Sequence, residues 1–178
     1  MVLKQILEIF ELMDKPQANG KELTDLLKSR GATEVSVETV TGDRGQTDSI
    51  KVLIAGSQGK TAGGSAPTLG IIGRLGGLGA RPTMTGFVSD GDGALAAVAA
   101  GLKLSEMHHN GDVLKGDVII STHICPDAPT QDHKPVPFMN SPIDMALCNS
   151  KDVDPRMDAI LTIDTTKGNQ VINVNGFA

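Results

Sequence analysis

Residues 89–122, SDGDGALAAVAAGLKLSEMHHNGDVLKGDVIIST, decide the fold. Asp92 or Gly93 opens the longest helix, which runs over 94–108. Its Ala- and Leu-rich sequence has high intrinsic helix propensity, and Gly111 stops it. Residues 117–122 (DVIIST) then form an apolar run bounded by Gly116 and Pro126, the pattern of a buried strand. The alternation continues downstream. Pro142 opens a short helix through Asn149, residues 159–163 (AILTI) form a strand that ends at Asp164, and 171–174 form the last strand. Helices that alternate with strands predict an α/β domain with a largely parallel sheet.

Upstream, Leu3, Ile6, Leu7, Ile9, Phe10 and Met13 recur at helical spacing, so 2–14 is expected to be an amphipathic helix ended by Pro16 and Gly20. Residues 21–30 form a second helix, stopped by Gly31. The period then changes to two over 35–41, a strand. Gly42-Asp43-Arg44-Gly45 is a turn, and 49–55 (SIKVLIA) pairs antiparallel with the first strand because the connection is short. The Gly-rich stretch 56–86 is expected to hold turns and short extended pieces. Without a repeat or a low-complexity linker, all 178 residues are assigned to a single α/β domain.

Composition narrows the function. Apolar residues make up 39% and charged residues 21%, enough to bury a core. A net charge of −5 argues against nucleic acid or an anionic membrane as partner, since surplus Lys and Arg would be needed. Trp and Tyr are absent and Phe numbers four, which disfavours base-stacking or sugar-binding platforms. Two cysteines, Cys125 and Cys148, do not form a disulfide framework. No signal peptide is visible at the N-terminus, and no apolar run is long enough to span a bilayer. The expectation is a soluble cytoplasmic protein, with assembly state open between monomer and homo-oligomer.

Several motifs invite a chemical interpretation. Gly56-Ser57-Gln58-Gly59-Lys60-Thr61 suggests a phosphate loop, but the required first glycine falls on Ile54, and Ala62-Gly63-Gly64-Ser65-Ala66-Pro67 cannot start a helix promptly. Gly76-Gly77-Leu78-Gly79 does not match a dinucleotide fingerprint. Ser89-Asp90-Gly91-Asp92-Gly93 places two carboxylates before the long helix. Asp92 then caps the helix, or Asp90 faces a cleft as a metal ligand. His123, Cys125 and Asp127 alternate just past a core strand, at the end of a sheet where α/β sites gather. Asp164 ends the next strand in the same way. Each of these residues also has a plainer use, as a satisfied core histidine, a buried thiol or a turn aspartate. His108-His109 suits a helix C-terminus, and His133 is a weak candidate ligand in a Pro-rich loop.

At Arg81-Pro82, Ser89-Asp90-Gly91-Asp92-Gly93-Ala94-Leu95, Thr122-His123-Ile124-Cys125-Pro126-Asp127-Ala128-Pro129-Thr130 and Asp154-Pro155-Arg156-Met157-Asp158, the chain closely resembles domain of unknown function 1177, a prokaryotic family. The resemblance covers essentially the whole chain. Family members look longer, so these residues are expected to be the N-terminal part of a larger domain. More distantly, Asp90-Gly91-Asp92-Gly93-Ala94-Leu95-Ala96-Ala97 is similar to the segment of co-catalytic zinc aminopeptidases in which an Asp precedes an Ala-rich helix. That resemblance implies a three-layer, mostly parallel or mixed sheet flanked by helices, of the aminopeptidase-like (phosphorylase/hydrolase-like) type. It also implies a divalent metal, zinc or manganese, with Asp90 bridging, Asp127 as base or ligand, Asp164 as a further carboxylate and His123 as an auxiliary ligand. The chain departs from the pattern in two places: residues 48–89 contain no His, and Cys125-Pro126-Asp127 stands where those enzymes have a Glu pair.

Three functions follow as expectations. The first is metal-dependent hydrolysis of amide bonds in peptides or small amides. The second is a metal-free enzyme with Cys125 as nucleophile, made accessible by its strand-end position. The third is a non-catalytic binding or assembly subunit on a hydrolase-like scaffold.

Overall fold

The computed structural model describes residues 2–74, 91–126, 128–132, 134 and 138–164. The helices are α1 (Leu3–Met13), α2 (Gly20–Ser29), α3 (Asp92–His109) and α4 (Met145–Asp152). The strands are β1 (Glu34–Gly42), β2 (Gly45–Ile54), β3 (Leu69–Gly73), β4 (Val118–Ile124), β5 (Thr130–Gln131), β6 (Phe138–Met139) and β7 (Ala159–Ile163). Five strands make one sheet in the order β1-β2-β4-β3-β7. β1, β2 and β4 pair antiparallel; β4, β3 and β7 pair parallel. The sheet is therefore mixed, and its parallel part lies toward β7.

The pleat sorts side chains between two layers. One face carries Val35, Ile50, Val52, Ile54, Ile71, Val118, Ile120 and Ile124, packed against Ile9, Met13, Leu23, Leu27, Val98 and Leu102 of α1, α2 and α3. The opposite face carries Val40, which packs on Ile143 and on Cys148 of α4. The result is a three-layer α/β/α arrangement. Among the described residues, no helix is long and apolar enough to cross a membrane.

Local chemistry explains the boundaries. Gly42 and Gly45 pair across a two-residue turn, and Gly45 has φ +142°. β2 starts there, four residues before the expected position, because the hairpin register carries pairing to the turn. Asn19 caps α2 by accepting from Glu22 N–H at 3.0 Å, and Asp48 accepts from Gly20 N–H at 2.8 Å. α4 starts at Met145, not at Pro142, because the Asp144 carboxylate accepts from Leu147 N–H at 2.8 Å and sets the N-cap. At α3 the N-cap is Gly91, with Asp92 as the first helical residue, so Asp92 is not the cap. The expected strand at 171–174 lies outside the described residues.

The Gly-rich stretch 56–86 holds more than turns. Its residues Leu69–Gly73 (LGIIG) form β3, a central strand between β4 and β7. The glycines that hide it are demanded by close packing. A Cβ on Gly73 would lie 2.5 Å from the Gly93 carbonyl of α3, and one on Gly70 would lie 2.4 Å from Met157 Sδ. Gly93 is equally confined, its Cβ position being 2.5 Å from Ile163 O and 2.7 Å from Arg74 O. Gly93→Ala is expected to cost about 1–3 kcal/mol through overpacking, read as a lower denaturant midpoint with an unchanged m-value. A change within experimental error would show that the α3 start can move off the sheet.

Residues 56–61 of that stretch wrap around one buried carboxylate. Asp117, just before β4, accepts from Gly56 N–H at 2.8 Å and from both the N–H and the hydroxyl of Thr61 at 2.9 Å. Burial alone would raise its pKa, but these hydrogen bonds outweigh it and hold the carboxyl below its usual value. The donors of the 56–61 segment thus face an anion supplied by the chain itself.

Candidate functional site

The parallel strands β3, β4 and β7 end along one edge. Ile72 is in register with both Ser121 and Thr162. Thr122 Oγ1 donates to Gly73 O at 2.9 Å, and Arg74 N–H donates to Ile163 O at 2.8 Å. The confinement of Gly93 between Ile163 O and Arg74 O sets the N-terminus of α3 against this edge. Four pieces therefore share it: His123 and Cys125 at the end of β4, Arg74 after β3, Asp164 after β7, and Gly91 at the start of α3. Asp90 and Asp127 adjoin Gly91 and Pro126 in the chain, and both lie outside the described residues, as does His133. Asp164 is exposed.

His123 is the most informative of these side chains. It is 4% exposed, on the α4 face of the sheet. Its Nδ1 lies 2.9 Å from Thr47 Oγ1, which is also 3.0 Å from Ile124 O. A hydroxyl has one hydrogen, and the Ile124 carbonyl can only accept. Thr47 therefore donates to Ile124 O, and His123 Nδ1–H donates to Thr47. The ring is then a neutral tautomer whose Nε2 carries a bare lone pair, and Nε2 is buried with no hydrogen-bond partner among the described residues. Burial, and after it the charge of Arg74, pushes its pKa down to about 4. A neutral imidazole with a free, oriented Nε2 fits the chemistry of a metal ligand. Thr47 was not among the expected functional residues; only the β2–β4 register puts it beside the ring, and no sequence spacing signals that.

The cysteines are less available. Cys125 is 1% exposed, and its thiol donates to Gln46 O at 3.3 Å, so the expected exposure at the strand end is not found. Cys148 donates to Asp152 Oδ2 at 3.4 Å; burial, then the Asp152 charge, pushes its pKa up to about 12. Arg74, between the β4 and β7 ends, turns toward α4, where it donates to Asn149 Oδ1 at 2.6 Å and reaches Asp152 Oδ2 at 3.4 Å. Its charge is thereby committed to a buried partner. Among the described residues, no three His, Cys, Asp or Glu side chains converge as a ready metal site. Asp90 and Asp127, needed to complete the expected set, are not among those residues.

A family model described as a protein of unknown function, DUF1177, matches residues 38–178. The chain belongs to the DUF1177 family. The matched part of this DUF1177 protein contains the whole sheet except the start of β1, whereas α1 and α2 precede it and pack into the same core. Comparison with curated proteins gives no match. Solved structures similar to the DUF1177 chain include the bottromycin maturation enzyme BotP, at 18% identity over 72% of this chain and 30% of that one, TM-score 0.47. They also include a tomato leucine aminopeptidase mutant, at 13% identity over 71% of this chain and 27% of that one, TM-score 0.42. The chain thus spans less than a third of the length of either structure.

Proposed function

We propose that this DUF1177 protein is a metal-dependent hydrolase of amide bonds in small peptides or amide compounds, acting in the cytoplasm. Asp90, Asp127 and Asp164 are the proposed carboxylate ligands of a divalent ion, zinc or manganese, with His123 Nε2 as an auxiliary ligand. The observation that supports this most is His123 itself: a buried, neutral ring, fixed by Thr47, with an unused lone pair at the sheet edge that also carries Asp164. Gly91 and Pro126, the described neighbours of Asp90 and Asp127 in the chain, lie near that same edge. Carboxylate oxygens and one imidazole nitrogen suit either ion. When bound, the metal would polarise the scissile carbonyl and acidify a water. Asp164, exposed, would anchor the ion, and Asp127 would either share that task or take the proton from the attacking water. Thr47 is a positioning residue that keeps Nε2 free by accepting from Nδ1.

Metal binding by the purified protein tests the proposal. Zinc or manganese is expected to bind stoichiometrically, with at least about a tenfold loss of affinity in Asp90→Ala and in Asp164→Asn. Thr47→Val should weaken affinity less and leave amide selectivity unchanged. Hydrolysis of amino-acid amides should fall in parallel. Stoichiometric metal indifferent to Asp90, or metal-loaded protein that cleaves no amide, would overturn the assignment.

A further inference from the structure

A cleft of mixed apolar and polar lining opens beside the strand end that carries His123. It has a volume of about 280 Å³ and is lined by Ala18, Asn19, Gln46, Asp48, Ile124 and Pro126, among others. A space of that size admits one side chain rather than a whole peptide. Its lining is divided. Ala18, Ile124 and Pro126 are apolar, whereas Asn19, Gln46 and Asp48 supply oxygens and one formal negative charge.

Asp48 is the one formal charge among the described residues of this lining. It is half-buried, and its carboxylate accepts from Gly20 N–H at 2.8 Å and from Thr39 Oγ1 at 2.8 Å. Among the described residues, no Lys, Arg or His forms an ion pair with it; the buried Asp152 and Asp154 each have a cationic partner, and the buried Asp117, also without one, is enclosed by three hydrogen bonds, whereas Asp48 is open to the cleft. The start of α2 offers it only the partial charge of a helix end, about half an elementary charge. Each carboxylate oxygen keeps acceptor capacity that one hydrogen bond does not exhaust. A cation with an aliphatic stem matches both parts of the lining, its methylenes along Ile124 and Pro126 and its head at Asp48.

We infer that this cleft is a specificity pocket that seats the ammonium or guanidinium group of a basic substrate side chain, with Asp48 as its counter-charge. The inference deepens the amide-hydrolase proposal and names its substrate class: peptides or amides with a lysine- or arginine-like side chain next to the scissile bond. Pro126 forms part of the cleft wall and directly precedes Asp127, so a side chain held there belongs to a substrate whose carbonyl lies at the β4 end.

Lysinamide and norleucinamide differ only by the terminal amine and are the probes. The metal-loaded protein is expected to bind and cleave lysinamide at least about tenfold better. Asp48→Asn keeps one oxygen to accept from Gly20 N–H, and its amide N–H can donate to Thr39 Oγ1, so it should fold normally and abolish that preference by bringing lysinamide down to the level of norleucinamide. Gln46→Lys, which supplies an ammonium from within, should do the same. Equal handling of the two amides by the wild type, or a preference that survives both substitutions, would overturn the pocket while leaving the hydrolase intact. Selective, Asp48-dependent binding of lysinamide without cleavage would uphold the pocket and overturn the hydrolase.

Discussion

Asp117→Ala is expected to lower the unfolding free energy by about 3–5 kcal/mol. The carboxylate is 3% exposed and accepts three hydrogen bonds from the 56–61 segment. Each hydrogen bond to a charged group contributes about 1.5–3 kcal/mol, and deleting the acceptor strands a buried N–H at Gly56. Gly59 packs directly on this carboxylate, since a Cβ there would sit 1.9 Å from Asp117 Oδ1, so the substitution also removes that packing. Thr61→Val removes only the hydroxyl donor and should cost about 1 kcal/mol. Denaturant unfolding of both variants checks the ordering. A loss below that of Thr61→Val would mean that the loop satisfies itself without the carboxylate.

The second large effect is a pH dependence centred on His123. The metal-free protein should lose about 3 kcal/mol of stability between pH 6.5 and pH 4 through this residue alone. The sign follows from proton counts. The unfolded chain protonates the imidazole near 6.5, whereas the folded chain, with the ring buried and under the charge of Arg74, does so only at about 4. Between those values the unfolded state binds more protons, so stability falls as pH falls; above 6.5 the contribution is complete. Asp154 adds a loss in the same direction at more acid pH. The hydrogen bonds from Arg156, at 2.9 Å from Nε and from Nη2, and then Lys51 hold its carboxyl far below the usual range. His123→Gln removes the first dependence and keeps the second. Parallel stability curves for wild type and variant from pH 7 to pH 4, in the presence of a chelator, would contradict the assignment.

The helices and the β1–β2 hairpin could be read from period and punctuation because each is a local property. Leu23, Leu26 and Leu27 mark one face of α2, and Gly42 and Gly45 mark the hairpin turn. β3 was not legible. LGIIG is short and carries glycines that normally argue against a strand, and their reason lies in α3 and in Met157, distant in sequence. The same limit applies to the site. His123 and Asp164 could be placed at strand ends from the sequence, and the structure puts both at one edge. The partners that give His123 its chemistry, Thr47 and Arg74, come from other strands and have no local signature. The departure of the 56–61 segment from a phosphate-loop pattern was legible, but only the structure reveals that Asp117 accepts from Gly56 and Thr61.

The position of β3 has a consequence for biosynthesis. Both strands that flank it, β4 and β7, come later in the chain. As the polypeptide leaves the ribosome, the hairpin can close at once, whereas β3 stays unpaired until distant sequence has been made. Pairing across such separations is slow to nucleate. The nascent chain therefore carries Leu69–Gly73 as an unpaired apolar segment at least until β4 has been made.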